Sequence, residues 1–248
     1  MKRLVVIPCK NEAKSIRKTL KQLESEDVLV CDGGSKDTSL RICREMGVDY
    51  KRCKSGYGKV ILEGMKYACE MGYEQVIVMD CESHTFSEIE PFLNSGADVI
   101  AGLRASEKKP WYRKVITQVG RKMMPNGVKT EIVDISNGFR AYSIEFVKYI
   151  LSLKDMDKIP SYTFNSIVAF YSDGWKVQQF PMTYIGGKSG LTPYELFKAW
   201  TFRVNYKIQR PVVIEPPIEP TLEDVVAFLR LHHGNAFDSV IKNRRKRG

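Results

Sequence analysis

The stretch Gln75-Val76-Ile77-Val78-Met79-Asp80-Cys81-Glu82 joins a short apolar, β-branched run to a pair of acidic residues. A run of this length predicts a strand that is buried on both faces. Similar runs occur at residues 4–8, 27–31 and 97–101, and they are separated by segments with helical spacing of apolar residues. Strands that alternate with helices predict an α/β protein with a mostly parallel, doubly wound sheet. The expected helices lie at residues 12–23, at 58–71 and in a segment that ends near residue 46.

Polar residues directly follow the predicted strands. Ligands of a parallel sheet bind at the carboxyl ends of its strands, and Asn11, Asp32 and Asp80 each lie just past such an end. Asp80 and Glu82 are separated by one residue, and Mg²⁺ and Mn²⁺ prefer carboxylate oxygens as ligands. Such a pair alone is more typical of a solvated turn. Because Asp32 ends a second strand, however, two acidic strand ends are expected to face one crevice.

Composition and charge narrow the class of protein. The chain has 248 residues, of which 43% are hydrophobic and 27% charged, as in ordinary globular proteins. It has no apolar run of about 18 residues and no signal peptide, so we expect a cytoplasmic protein that is at most peripheral to a membrane. The six cysteines never show Cys-x-x-Cys spacing, which indicates buried thiols. The net charge of +10 predicts an anionic partner: a nucleotide diphosphate, a phospholipid surface or nucleic acid.

The amino-acid composition changes towards the C-terminus. We expect one domain over residues 1–210, followed by a proline-rich linker at 211–220. Residues 221–248 predict a C-terminal helix and a basic tail. The sequence therefore predicts a C-terminal helical extension after the α/β domain.

Several motifs in order give the chain a specific resemblance. The segments are Val6-Ile7-Pro8-Cys9-Lys10-Asn11-Glu12, Cys31-Asp32-Gly33-Gly34-Ser35-Lys36-Asp37-Thr38, Gly56-Tyr57-Gly58-Lys59 with Glu63-Gly64-Met65, Met79-Asp80-Cys81-Glu82-Ser83-His84, and Asp134-Ile135-Ser136-Asn137-Gly138-Phe139-Arg140-Ala141-Tyr142. With these motifs in this order, the chain resembles family 2 glycosyltransferases with the GT-A fold, and among them the dolichol- and polyprenol-phosphate sugar transferases. The resemblance extends from residue 3 to about residue 190 and implies a GT-A (Rossmann-like) sheet flanked by helices.

The resemblance also implies roles for individual residues. A UDP- or GDP-sugar donor would be bound by Pro8, Asn11, Glu12, Asp32, Gly34, Ser35, Lys59, Asp80 and Lys188. Asp80 and Glu82 would bind Mg²⁺ or Mn²⁺. Arg140 would face the donor diphosphate or the acceptor, with a surface ion pair as its alternative role.

The chain departs from the family pattern at two of these places. The family's metal motif has Asp where this chain has Glu82, and this chain has one residue fewer before His84. A phosphate-binding pattern of the lipid-phosphate enzymes occurs here as Tyr184-Ile185-Gly186-Gly187-Lys188-Ser189-Gly190, without its Arg and with the Lys displaced. This chain therefore departs from the family pattern in the spacing of its metal motif and in its phosphate-binding motif.

The acceptor decides which chemistry is needed. Enzymes of this kind transfer a hexosyl or pentosyl group by a single displacement with inversion, in which a metal and cationic side chains stabilise the leaving diphosphate. A phosphate acceptor is already anionic, whereas a hydroxyl acceptor requires a general base, for which Asp134 is the candidate. Asp134 could equally be a cap or turn residue ahead of Ser136.

Three functions remain open from the sequence. A polyprenyl-phosphate glycosyltransferase is favoured by the family match and by an aromatic, basic stretch at residues 191–209 that suits a membrane interface. A glycosyltransferase for hydroxymethylated bases in DNA, as in virus-type DNA modification, is suggested by the basic segment at 108–124 and the basic tail. The third is a non-catalytic protein that binds nucleotide sugars or nucleic acid.

Overall fold

The computed structural model describes residues 1–81, 84–104 and 130–183, all within one compact unit. The predicted linker at 211–220 and the predicted helix and tail at 221–248 lie outside the described residues, as do the stretches at 108–124 and 191–209. The described part contains a seven-stranded sheet. Its strands are β1 (Arg3–Cys9), β2 (Val28–Asp32), β3 (Asp49–Arg52), β4 (Gln75–Val78), β5 (Val99–Arg104), β6 (Arg140–Ser143) and β7 (Val177–Met182).

The sheet is mixed, with strand order β3-β2-β1-β4-β6-β5-β7. The pairs β1–β2, β1–β4, β2–β3 and β5–β7 are parallel, whereas β6 is antiparallel to both of its neighbours. The predicted α/β class with a mostly parallel sheet is confirmed. The reversed strand β6 was not expected, because its sequence Arg140-Ala141-Tyr142-Ser143 is short and lacks a β-branched run.

The helices pack on both sides of this sheet. They are α1 (Ile16–Lys21), α2 (Ser39–Glu45), α3 (Tyr57–Glu70), α4 (Ile144–Ser152) and α5 (Ser161–Tyr171). The prediction for α3 agrees within a residue at each end. Helix α1 is shorter than the expected 12–23, because Asn11 adopts a left-handed φ of 61° and the chain from Glu12 first forms a turn, in which Ser15 N–H donates to the Glu12 carbonyl at 3.0 Å.

The packing of strand β1 explains why its residues 4–7 are all apolar. Successive side chains of a strand point to opposite faces, and Leu4 and Val6 pack in one core cluster while Val5 and Ile7 pack in another. The first cluster includes residues of α3, α4 and α5, and the second includes residues of α1 and α2. A strand with helices on both faces has no solvent side, so alternation of polar and apolar residues is lost.

The cysteines belong mostly to these cores. All six are free thiols. Burial raises the pKa of the Cys43 thiol to about 11, which makes it a poor nucleophile at neutral pH.

Within the described ranges, no helix combines the length and the apolar character that crossing a membrane requires.

Helix α3 approaches β1 at Gly64, and this gives a test of the packing. A Cβ on Gly64 would overlap Val6 Cγ1 and lie 2.8 Å from Val6 Cγ2. We expect Gly64→Ala to lower the free energy of unfolding by about 1–3 kcal/mol, since extra atoms in a packed core force neighbours apart. Urea denaturation measures this, with Glu70→Ala at the exposed end of α3 as the control. Equal stability of the two variants would contradict the close approach.

Candidate active site

Polar residues from several strands meet at one edge of the sheet. Strands β1, β2, β4 and β5 run in the same direction and end at this edge, where Cys9 lies opposite Asp32 in the register. Because β6 runs the other way, it begins there, and Arg140 lies opposite both Val78 and Ala101. The chain that leaves β4 and the chain that enters β6 are therefore neighbours.

The turn after β2 holds Asp32 in place. Asp32 is 1% exposed, and its carboxylate accepts hydrogen bonds from Ser35 N–H at 3.0 Å and Gly34 N–H at 3.3 Å. Gly34 has a φ of 94°, a conformation that side chains rarely adopt, so the turn requires a glycine at this position. The predicted donor residues Asp32, Gly34 and Ser35 thus form one rigid loop.

The loop after β1 is tied to that turn. Asn11 N–H donates to Ser35 Oγ at 2.9 Å, and Asn11 Oδ1 accepts from Lys36 N–H at 2.8 Å. Glu12 N–H donates to Ser39 Oγ at 2.8 Å, and the Glu12 carboxylate accepts from Ser15 Oγ at 2.8 Å. These bonds bring the predicted Asn11 and Glu12 beside the Asp32 loop.

Two further predicted donor residues lie at the same edge. Pro8 pairs with Cys31 in the register of β1 and β2. Lys59 lies in the first turn of α3, half-buried, with its aliphatic chain folded over Gly56.

Asp80 follows β4 and is partly buried. Its Oδ1 accepts a hydrogen bond from the Tyr57 hydroxyl at 3.2 Å. Burial raises the pKa of the Asp80 carboxyl to about 6; nearby Glu12 acts in the same direction, whereas the Tyr57 hydrogen bond and Arg104 oppose it. A carboxylate in this environment is poorly solvated, and a cation would stabilise its charged form.

His84 fixes the chain beyond Asp80. Asp80 N–H donates to His84 Nδ1 at 3.0 Å, and the His84 ring stacks on Phe139 with centroids 4.5 Å apart. Burial lowers the pKa of His84 to about 3, so the imidazole is neutral at physiological pH. The neutral ring therefore links two segments: it accepts a hydrogen bond from the backbone of Asp80 and stacks on the ring of Phe139.

Arg104 and Asp134 form a buried ion pair. Arg104 Nε donates to Asp134 Oδ2 at 2.6 Å, and a terminal nitrogen of Arg104 donates to Asp134 Oδ1 at 2.8 Å. The same nitrogen donates to Ser136 Oγ at 2.8 Å. The two side chains are 7% and 1% exposed. Both carboxylate oxygens of Asp134 are therefore engaged by one guanidinium.

Arg140 lies in the core and not at the surface. It is 0% exposed, and its two terminal nitrogens donate to the carbonyls of Asn165 at 2.8 Å and Ile135 at 2.9 Å. The alternative of a surface ion pair is wrong, because the guanidinium is enclosed by backbone. The predicted phosphate contact of Arg140 gains no support from this placement.

Asp80 is the one residue of the predicted cation pair that lies within the described residues. Glu82 and Lys188 lie outside the described residues, and within the described ranges no group of three or more His, Cys, Asp or Glu could hold a metal ion. Mg²⁺ is commonly held by one or two carboxylates together with substrate phosphates and water. Asp80 fits such a site, because among the described residues its Oδ2 accepts no hydrogen bond.

The structure adds residues to which the sequence assigned no role. Tyr57 donates to Asp80, and Asn165 in turn donates to the Tyr57 hydroxyl. Arg104 donates to Asp134. Arg104 ends the apolar strand β5, so the rule that found Asp32 and Asp80 at strand ends would also have found it. Asn165 lies within α5 and has no comparable signal in the sequence.

The fold has known counterparts. Glucosyl-3-phosphoglycerate synthase from Mycobacterium tuberculosis, solved with Mn²⁺, uridine diphosphate and glucosyl-3-phosphoglycerate, matches with a TM-score of 0.60 and 15% identity. The match covers 82% of this chain and 77% of that one. This likeness confirms the predicted GT-A architecture.

Sequence comparison identifies the family. The undecaprenyl-phosphate mannosyltransferase of Micrococcus luteus is 27% identical over 213 residues, which is 77% of this chain and 86% of that protein. The polyprenol monophosphomannose synthase of Mycolicibacterium smegmatis is 25% identical over 214 residues, or 76% of this chain and 79% of that protein. The family model described as Glycosyl transferase family 2 matches residues 4–151. The chain therefore belongs to glycosyl transferase family 2 and is a glycosyltransferase.

Proposed function

We propose that this glycosyltransferase moves a sugar from a nucleoside diphosphate sugar to a polyprenyl phosphate, with inversion and with the help of a divalent cation. The named relatives from Micrococcus and Mycolicibacterium support this acceptor class. The observation that carries the proposal is the buried pairing of Asp134 with Arg104.

That pairing bears on the acceptor because a hydroxyl must lose a proton when it attacks, whereas a phosphate need not. Asp134 is the candidate base, yet both of its oxygens accept from Arg104. A base must reach the proton that it removes. We therefore assign Asp134 to positioning Arg104 and the adjacent loop, and this arrangement favours an acceptor that needs no base.

The donor would be bound by the joined loops after β1 and β2. The Asp32 carboxylate has about four lone-pair directions, so after its bonds to Gly34 and Ser35 it can still accept from a ribose hydroxyl or a base N–H. The donor nucleoside would also contact Pro8, Asn11 and Glu12, which lie beside Asp32. Lys59, and Lys188 from outside the described residues, would neutralise the diphosphate.

Asp80, together with Glu82, would hold Mg²⁺ or Mn²⁺. The bound cation would neutralise the charge that develops on the leaving diphosphate. The described residues contribute the fixed position of Asp80, whose backbone is held by His84 and whose side chain is held by Tyr57. Because the acceptor is a lipid, we place the enzyme at a membrane surface when it acts.

The DNA-modifying function has no comparable support. Its target hydroxyl would need a base, and the basic segment at 108–124 lies outside the described residues. It is tested as an alternative outcome below.

Asp80→Asn tests the donor site. It keeps the size of the side chain and an acceptor for Tyr57 but removes the charge, so we expect sugar transfer to fall at least about 10²-fold, as when a charge-stabilising group is lost. The assay offers labelled UDP- and GDP-sugars with Mn²⁺ or Mg²⁺ to undecaprenyl phosphate and, in parallel, to hydroxymethylated DNA. The control is Asp173→Asn, which makes the same chemical change at an exposed position that has no role in the proposed site. Full activity of Asp80→Asn would refute the cation site, and label in DNA alone would refute the lipid acceptor.

Asp134→Ala tests whether Asp134 is structural. Leaving Arg104 buried without its partner should lower the free energy of unfolding by about 3–5 kcal/mol. The double change Arg104→Met with Asp134→Leu should recover much of that loss, because no unpaired charge remains. Arg41→Ala, which breaks an exposed pair with Glu45, should cost less than about 1 kcal/mol in the same urea titration. A fully stable Asp134→Ala variant that is inactive would instead identify Asp134 as a base.

A further inference from the structure

Tyr57 stands between Asp80 and helix α5. It is the first residue of α3, and its hydroxyl donates to Asp80 Oδ1 at 3.2 Å. The same hydroxyl oxygen accepts from Asn165 Nδ2 at 3.4 Å. The phenol oxygen thus has its donor and one acceptor position filled by two side chains of the site.

The Tyr57 hydroxyl occupies space that is open because residue 138 is a glycine. A Cβ on Gly138 would overlap the Tyr57 hydroxyl and would lie 3.0 Å from Asn165 Nδ2 and 3.4 Å from Asp80 Oδ2. Gly138 does not have a left-handed φ, so the backbone alone does not require a glycine there. The glycine leaves room for the Tyr57 hydroxyl beside Asp80.

One face of α5 supports this arrangement. Ser161, Phe164 and Asn165 lie at helical positions i, i+3 and i+4, which share a face. Ser161 Oγ accepts from Tyr57 N–H at 3.1 Å, and a Cβ on Gly58 would come within 2.9 Å of the Phe164 ring. The first turn of α3 is therefore packed directly on α5, and Tyr57 cannot move without that helix.

Arg140 connects the same face to the sheet. Its guanidinium donates to the carbonyl of Asn165, whose side chain donates to Tyr57. A continuous path of hydrogen bonds thus runs from β6 through α5 and Tyr57 to Asp80.

We propose that Tyr57 is a positioning residue whose hydroxyl, held by Asn165 and the Gly138 backbone, fixes Asp80 Oδ1 and leaves Oδ2 for the divalent cation. This inference rests on the proposed function, in which Asp80 holds that cation. A carboxylate that is free to rotate about its last bond presents either oxygen in many directions, whereas a hydrogen bond to one oxygen selects a single orientation. Partners of metal ligands act in this way, and their loss typically weakens metal binding about 10- to 100-fold.

Tyr57→Phe is the direct test. Mn²⁺ is titrated into the protein alone, and again with UDP present, and free Mn²⁺ is followed by electron paramagnetic resonance. We expect the dissociation constant for Mn²⁺ to rise about 10- to 100-fold, while the urea midpoint stays close to that of the wild type. A rise in the constant without a change in folding is a result that a merely structural tyrosine would not give.

Tyr73→Phe is a matched control, because burial, together with an aspartate, Asp27, at the opposite edge of the sheet, raises the pKa of Tyr73. It should leave Mn²⁺ binding unchanged. If Tyr57→Phe binds Mn²⁺ as tightly as the wild type while Asp80→Asn does not bind it, the role of Tyr57 is refuted and the cation site stands. If Asp80→Asn also binds Mn²⁺ normally, or the wild type binds none, the cation site and this inference both fail.

Gly138→Ala tests the geometry without reference to metal. Its methyl group would displace the Tyr57 hydroxyl, so Gly138→Ala should lower the urea midpoint in the wild type and lower it less in the Tyr57→Phe background. Strictly additive midpoints would contradict the placement of the hydroxyl against Gly138.

Discussion

The antiparallel pairing of β6 with β4 and β5 is the constraint on which the site depends. Arg140 at the start of β6 lies opposite Val78 of β4 and Ala101 of β5. In a fully parallel sheet this strand would begin at the far edge. Reversal instead brings the residues that precede β6, including Asp134 and Gly138, beside Asp80 and Arg104. The Arg104–Asp134 pair and the residues proposed to bind the donor and the cation lie at one edge of the sheet because a single strand is antiparallel to its neighbours.

Arg140 then fixes the two loops that this pairing brings together. An arginine side chain stays charged in proteins, and a buried charge is tolerated only when it is well hydrogen-bonded. Its two terminal nitrogens obtain these bonds from the carbonyls of Ile135 and Asn165, whereas its buried Nε has no hydrogen-bond partner among the described residues. The same bonds hold the loop before β6 and the middle of α5 in one arrangement. Arg140, a residue of the family motif, thus links two segments of the site through their backbone atoms.

The sequence predicted the parts of the fold whose signal is local. Strands β1, β2 and β4 have apolar, β-branched runs, and α3 has clear helical spacing. Strand β3 was not predicted, because Asp49-Tyr50-Lys51-Arg52 is a short polar edge strand that gains its structure from pairing with β2. Strand β6 was not predicted either, since its place is set by two partners distant in sequence.

The same division holds for the site. Asp32 and Asp80 could be found because a polar residue after a buried strand is a local feature. The burial of Arg140 and the mutual engagement of Arg104 and Asp134 depend on contacts between segments that are remote in the chain. The role proposed for Tyr57 depends on Gly138, which lies just before β6, and on Asn165 in α5, and no spacing in the sequence indicates that these residues meet.

The proposed cation and the proposed phosphate acceptor are physically linked. Two unit charges of the same sign about 4 Å apart repel by about 4 kcal/mol at an effective dielectric constant of about 20. Asp80 already has its charged form disfavoured by burial and by Glu12, so an anionic acceptor and a diphosphate donor would add to that repulsion. A divalent cation at Asp80 would offset part of this negative charge and so reduce the repulsion. A hydroxyl acceptor would ease the repulsion but would require a base, and Asp134 has both oxygens bound to Arg104. The arrangement therefore favours an anionic acceptor together with a cation, and the two proposals support each other.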